Sequence, residues 1–128
     1  MASGEPQQRL WAVRGAVQAE RNDAEAILAA AEKVVRELLE RNVLDPEHVV
    51  SVFFTCTPDL DAEFPAVAAR RLGLGRVPLM CGHEMPVRGA MERMIRVLMH
   101  YYAPRDHEPG HAYIGAAQAL RSDLHAAQ

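Results

Sequence analysis

Apolar residues in this chain gather in short blocks between polar breaks, and one block carries a clear helical period. Over residues 22–41, Ile27, Leu28, Ala31, Val34, Val35, Leu38 and Leu39 recur at three- and four-residue spacing and line one helical face. Asn22 with Glu25 has the spacing of a capping box, which starts that helix at Asn22. Residues 10–17 and 49–57 are short apolar runs rich in Val and aromatics and read as strands. Gly15 interrupts the first, and Asp45-Pro46 breaks the chain before the second. Pro58-Asp59 turns the chain toward a short helix over residues 65–72, with Gly73 suited to a left-handed cap. Residues 76–81 read as a third strand, and residues 112–120 as a closing one. Residues 91–102 fit two templates. Met91, Met94, Ile95, Leu98 and Met99 suit a helix, whereas residues 95–102 alone suit a buried strand. Strands and helices mix without a strict βαβ rhythm. An α+β domain follows, with a mixed sheet packed against a long and a short helix.

Size and charge narrow the function. A chain of 128 residues can bury one real core but is marginal for two. Net charge is -3 with both signs interspersed, and the lack of a basic tract argues against nucleic acid as a partner. No apolar run approaches the ~20 residues that cross a bilayer, so no membrane partner is expected. The polar start has no hydrophobic region to serve as a secretory signal and reads as a loose tail over residues 1–8. Cys56 and Cys81 are the two cysteines, both in apolar strand-like surroundings, which fits a reducing cytoplasm better than a disulfide framework.

The short motifs are weaker than they look. His107-Glu108-Pro109-Gly110-His111 matches the H-E-x-x-H zinc pattern, but that pattern needs a helix to put both imidazoles on one face. Pro109 and Gly110 forbid the helix. Gly73-Leu74-Gly75 is too short to cradle a phosphate and reads as a turn. Cys81-Gly82-His83 puts a thiol near an imidazole, yet sequence neighbours rarely reach nucleophile geometry, and a buried structural cysteine is the plainer reading. His48, His100 and His125 have no ligand spacing and read as surface residues.

Three charges stand out instead: Arg14 in Val13-Arg14-Gly15, Glu84 in His83-Glu84-Met85, and Arg96 in Ile95-Arg96-Val97. A charge drawn into low dielectric must be paired or hydrogen-bonded. Two arginines and a glutamate converging on a pocket would receive a small carboxylate that carries a polar group. Each has a plainer reading as well: Arg14 on a solvent-facing strand, Glu84 in a loop, Arg96 on a solvated helix face with Arg93 and His100.

Taken in order, the residues resemble a known family. Val13-Arg14-Gly15-Ala16, Thr57-Pro58-Asp59-Leu60, Phe64-Pro65-Ala66 with Arg70, and Val77-Pro78 carry the first part. Cys81-Gly82-His83-Glu84-Met85, Ile95-Arg96-Val97, His111-Ala112-Tyr113 and Leu120-Arg121-Ser122-Asp123-Leu124 complete it. The chain is similar to the small, monofunctional, trimeric α/β class of chorismate mutase, over a single domain at residues 9–124 with a short tail at 125–128. The resemblance implies a homotrimer with a pseudo-α/β-barrel and active sites between subunits. It implies conversion of chorismate to prephenate in phenylalanine and tyrosine biosynthesis, with no cofactor or metal. Arg96 would donate to the ether oxygen, and Glu84, with Cys81 beside it, would receive the ring hydroxyl. Arg14 and Tyr113 would bind the side-chain carboxylate, and Phe64 would form an apolar wall. Arg70 and Arg121 would help near the mouth. Met80 replaces a hydroxyl-bearing residue, so only its backbone would touch substrate, and Ser122 replaces a proline. The resemblance also makes residues 95–102 a strand. Competing readings are an oligomeric sensor for a small anionic metabolite, which would leave Glu84 without a task, and a trimeric enzyme acting on imines or other small anions.

Overall fold

The computed structural model describes residues 7–120. Arg121, Ser122, the tail expected at 125–128 with His125, and residues 1–6 lie outside the described residues. Gln8, expected in the loose N-terminal tail, instead pairs with Pro104 in the first strand. Strand β1 (Gln8–Gln18), helix α1 (Ala24–Arg41), strand β2 (Val49–Cys56), helix α2 (Ala66–Ala69), and strands β3 (Leu79–His83), β4 (Met94–Pro104) and β5 (Ala112–Tyr113) follow in chain order. The strands form one sheet in the order β3-β2-β4-β1-β5. The β1–β4 and β2–β4 pairs are antiparallel, and β2–β3 and β1–β5 are parallel. The sheet is therefore mixed, as the irregular element rhythm suggested.

Strand alternation divides the sheet into two unlike faces. Val13, Val17, Val52, Phe54, Ile95, Val97, Met99 and Tyr101 point one way and are buried against Ile27, Ala31, Val34, Val35 and Leu38 of α1. The other face holds Leu10, Phe53, Met80 and Tyr102, all exposed large apolar residues. Among the described residues of one chain, Ala117 covers this face at Ala16, Met94 and Tyr113, while Leu10, Phe53, Met80 and Tyr102 stay exposed.

Gly15 sets how closely α1 approaches the sheet. A Cβ there would fall 2.7 Å from Val34 Cγ2 and 3.1 Å from Leu38 Cδ1, both on the buried face of α1. Gly15→Ala is expected to lower stability by about 1–3 kcal/mol through overpacking. Urea unfolding checks this, and an unchanged midpoint would mean α1 shifts freely.

Several expected boundaries move, each for a physical reason. Asp23, not Asn22, caps α1, its Oδ1 accepting the Ala26 N–H at 2.8 Å. Asn22 is occupied elsewhere: its Nδ2 donates to Asp61, and its Oδ1 accepts the N–H groups of Asp61 and Ala62. The third strand starts at Leu79 rather than Arg76, because Val77 N–H closes a turn on Leu74 O. The closing strand keeps only Ala112 and Tyr113. Gly115 takes φ +58, and the chain turns into a 3₁₀ segment, Gly115–Ala119. The short helix is α2, continued by a wider turn that ends at Gly73 with φ 90, in the left-handed conformation expected of it.

The segment with two templates is β4, a central strand paired on both sides. Its helix-like period arises because both faces carry buried apolar residues. Ile95, Val97 and Met99 meet α1, while Met94 is buried on the opposite face with Ala16, Tyr113 and Ala117. Asp59 pins the start of this strand: its carboxylate accepts the Arg93 N–H, and Thr57 donates to it while accepting the Met94 N–H. Burial raises the Asp59 pKa, but the bonds from Thr57 and the Arg93 N–H outweigh it and hold the carboxyl below its ordinary range.

Candidate functional site

Register alone assembles the centre of the site. Gly82 of β3 pairs with Thr55, Thr55 with Arg96, Arg96 with Ala16, and Ala16 with Tyr113. These five residues form one rung across all five strands, with side chains on the face away from α1. Ala16, 1% exposed, packs there with Met94, Tyr113 and Ala117. Arg14 stands two rungs along, opposite Leu98, and so on the same face.

The charges meet on this rung. Arg96 Nε lies 3.1 Å from Glu84 Oε2, and the Thr55 hydroxyl donates to the same oxygen at 2.7 Å. The Glu84 backbone N–H donates to Cys56 O at 2.8 Å, so the residue just past β3 is tied to β2. Glu84 is 17% exposed and Arg96 is 49% exposed. Glu84 thus sits in the sheltered, paired state that its apolar neighbours suggested. Arg96 does not: Ile95 and Val97 face α1, and alternation sends Arg96 to the open side. Nε is spent on Glu84, and the two Nη nitrogens remain as donors in a fixed plane.

The remaining expected residues divide between two places. Tyr113 is 9% exposed, packed with Ala16, Met94 and Ala117 on the open face. Met80 projects from the same face at the sheet edge, opposite Phe53. Phe64 and Cys81 instead line a cavity of about 310 Å³ with Cys56, Leu60, Pro65 and His83. Cys81 pairs with Phe54, a residue of the α1 side, so within one chain it does not stand beside the Glu84 carboxylate. Arg70 is exposed at the start of the turn after α2. Asn22, through its bonds to Asp61 and Ala62, holds the loop that carries Phe64.

The sulfur and imidazole groups find other uses. Cys81 is exposed, against the buried structural reading. Cys56 is the buried one, and desolvation pushes its thiol up to about 12, far from a thiolate at neutral pH. His83 Nε2 lies 3.2 Å from Leu60 O. Residues 107–111 are not helical. His107 Nε2 is 2.6 Å from the Tyr101 hydroxyl, and His111 Nδ1 accepts the Arg14 backbone N–H. The zinc pattern is dismantled by these contacts. His48 is exposed, whereas His100 is half-buried with its Nδ1 3.2 Å from Ser51 Oγ.

Thr55, which anchors Glu84, and Ala16, which shares its rung, are the members of this arrangement that sequence reasoning missed. Thr55 had one available signal: period two in residues 49–57 puts its hydroxyl opposite Phe54, away from the core. Its carboxylate partner is 29 residues away and shows only in the register.

A planar cation backed by a sheltered carboxylate defines a receptor for a small organic anion that also offers a hydroxyl. The family model described as chorismate mutase type I matches residues 10–124. The chain is 41% identical over 119 residues to the chorismate mutase AroH of Thermus thermophilus, covering 91% of this chain and 97% of that one. It is 39% identical over 115 residues to the chorismate mutase AroH of Bacillus subtilis, covering 88% and 90%. A solved chorismate mutase from Clostridium thermocellum superposes with a TM-score of 0.81 at 41% identity, covering 86% of this chain and 99% of that one. This chain belongs to the chorismate mutase type I family.

Proposed function

We propose that this chorismate mutase turns chorismate into prephenate where the open sheet face of one copy meets the edge cavity of the next. The observation that carries the reading is the Arg96–Glu84 pair anchored by Thr55. The substrate is a dicarboxylate with an enol ether and a ring hydroxyl. In its rearrangement the ring carbon–oxygen bond breaks while the enol methylene bonds the ring, and the ether oxygen becomes a ketone. Electrons move within one molecule, so the chemistry calls for no nucleophile and no cofactor. What remains is to hold the compact reactive conformer and to meet the negative charge growing on the ether oxygen.

Each residue suits one part of that task. The Arg96 Nη groups donate to the ether oxygen and the carboxylate beside it. Glu84, held still by Thr55, accepts the ring hydroxyl. Arg14 and Tyr113 bind the side-chain carboxylate. Phe64, Cys81 and the Met80 backbone close on the ring, with Arg70 and Arg121 at the mouth.

Two features favour a shared site in a homotrimer. Arg14, Glu84, Arg96 and Tyr113 occupy one face while Phe64 and Cys81 occupy a cavity on the other side of the sheet edge. The open face also exposes Leu10, Phe53, Met80 and Tyr102, which a second copy would bury. No helix among the described residues is long and apolar enough to cross a membrane, and both cysteines are free, which fits the cytoplasm.

Loss of chorismate ultraviolet absorbance on adding purified protein tests the reaction, with prephenate confirmed by its acid conversion to phenylpyruvate. Turnover undiminished by a chelator is the expected result. Folded, oligomeric protein that consumes no chorismate would contradict it and favour an anion sensor.

A further inference from the structure

We infer that His111 is a positioning residue for the substrate carboxylate, its imidazole fixing the Arg14 backbone and the strand that carries Tyr113 at one point. His111 Nδ1 accepts the Arg14 N–H at 3.0 Å. The next two residues, Ala112 and Tyr113, form β5 and pair with Gly15 and Ala16. The imidazole therefore lengthens a two-residue edge strand by one hydrogen bond, in the place where a backbone carbonyl would continue the ladder. An acceptor nitrogen carries no proton, so the neutral tautomer with hydrogen on Nε2 is the one this contact requires.

The ring is aimed from a clamped backbone. Arg41 Nη1 donates to His111 O at 2.7 Å, and Arg41 is itself paired with Glu37. Asn42, 5% exposed, takes both backbone groups of Gly110: its Nδ2 donates to Gly110 O at 2.9 Å, and its Oδ1 accepts the Gly110 N–H at 2.8 Å. The same amide donates to Leu38 O. The end of α1 thus holds residues 110–111, and His111 passes that constraint to Arg14 while the chain passes it to Tyr113. Losing the imidazole frees the Arg14 backbone from the clamped strand that carries Tyr113, without touching Arg96 or Glu84.

This inference rests on reading Arg14 and Tyr113 as the carboxylate pair, and the experiment separates the two. Steady-state kinetics on chorismate are measured for the full chain and for His111→Ala, His111→Gln, His111→Asn and Arg14→Ala, each with its thermal midpoint. Loss of one hydrogen bond should raise KM about fivefold in His111→Ala. The kcat should stay within about twofold, as befits lost binding shared by ground and transition states. His111→Gln, whose carbonyl reaches the Nε2 position instead, should show the same rise. His111→Asn puts Oδ1 where Nδ1 stood and should restore KM. An unchanged KM in His111→Ala beside a raised KM in Arg14→Ala overturns this inference alone. So does His111→Asn as impaired as His111→Ala, or a fall in midpoint and kcat with KM unmoved. An unchanged KM in Arg14→Ala overturns the carboxylate reading and this inference with it.

Discussion

Arg96→Ala is expected to lower kcat about 10²–10³-fold, the loss of ~3–4 kcal/mol seen when a preorganised oxyanion donor is removed. The fold should survive. Arg96 is half exposed, and its ion pair to Glu84 lies on the open face rather than in the core under α1. Arg96→Lys should recover only a small part of the loss. A lysine keeps the charge but offers a compact ammonium, which cannot bond Glu84 while holding an ether oxygen and a carboxylate in one plane. Turnover of chorismate checks the activity, and circular dichroism with a thermal melt checks the fold. Near-normal kcat in either variant would remove Arg96 from the chemistry.

Glu84→Ala carries the second large effect, a fall in kcat/KM of about 10–10²-fold, since hydrogen bonds to charged groups contribute ~1.5–3 kcal/mol. The substitution removes the acceptor for the ring hydroxyl and also releases Arg96 Nε from its 3.1 Å contact. Glu84→Gln should fall between alanine and the unmodified chain: it keeps an oxygen for the Thr55 hydroxyl but loses the charge facing Arg96. Steady-state kinetics on all three proteins test the order. Alanine and glutamine variants of equal, undiminished activity would leave Glu84 a structural partner of Arg96 and nothing more.

Much of this was legible in the sequence where local pattern decides, and little where register does. Helix α1 announces itself through the period of Ile27, Ala31, Val34, Val35 and Leu38, which is also the face that packs. Its cap was misplaced by one residue because Asn22 and Asp23 are both good caps. What separates them is Asn22's engagement with a loop 39 residues away. The apolar flanks singled out Glu84 and Arg96, which the structure pairs, but for Arg96 the argument about low dielectric fails, since its neighbours alternate onto the other face. The mixed sheet was expected, whereas the extent of β5 depends on Gly115 leaving the strand conformation. Thr55 gave only the outward direction of its hydroxyl, and Ala16 gave no local sign. Their importance lies in a rung that joins residues from five strands. The separation of Cys81 from Glu84 follows from the β2–β3 register in the same way.

The central claim is that catalysis occurs where the Arg96 face of one copy meets the Phe64–Cys81 cavity of another. Co-expression of two differently tagged inactive chains tests it: one carrying Arg96→Ala, the other Phe64→Asp to disable the cavity. In randomly mixed rings, about a quarter of the sites would join an intact face to an intact cavity. Tandem purification keeps only the mixed trimers, each with one intact site in three, so the purified mixture should regain about a third of the unmodified chain's turnover. A mixed oligomer as inactive as its two parents would contradict a shared site and confine the active residues to a single chain.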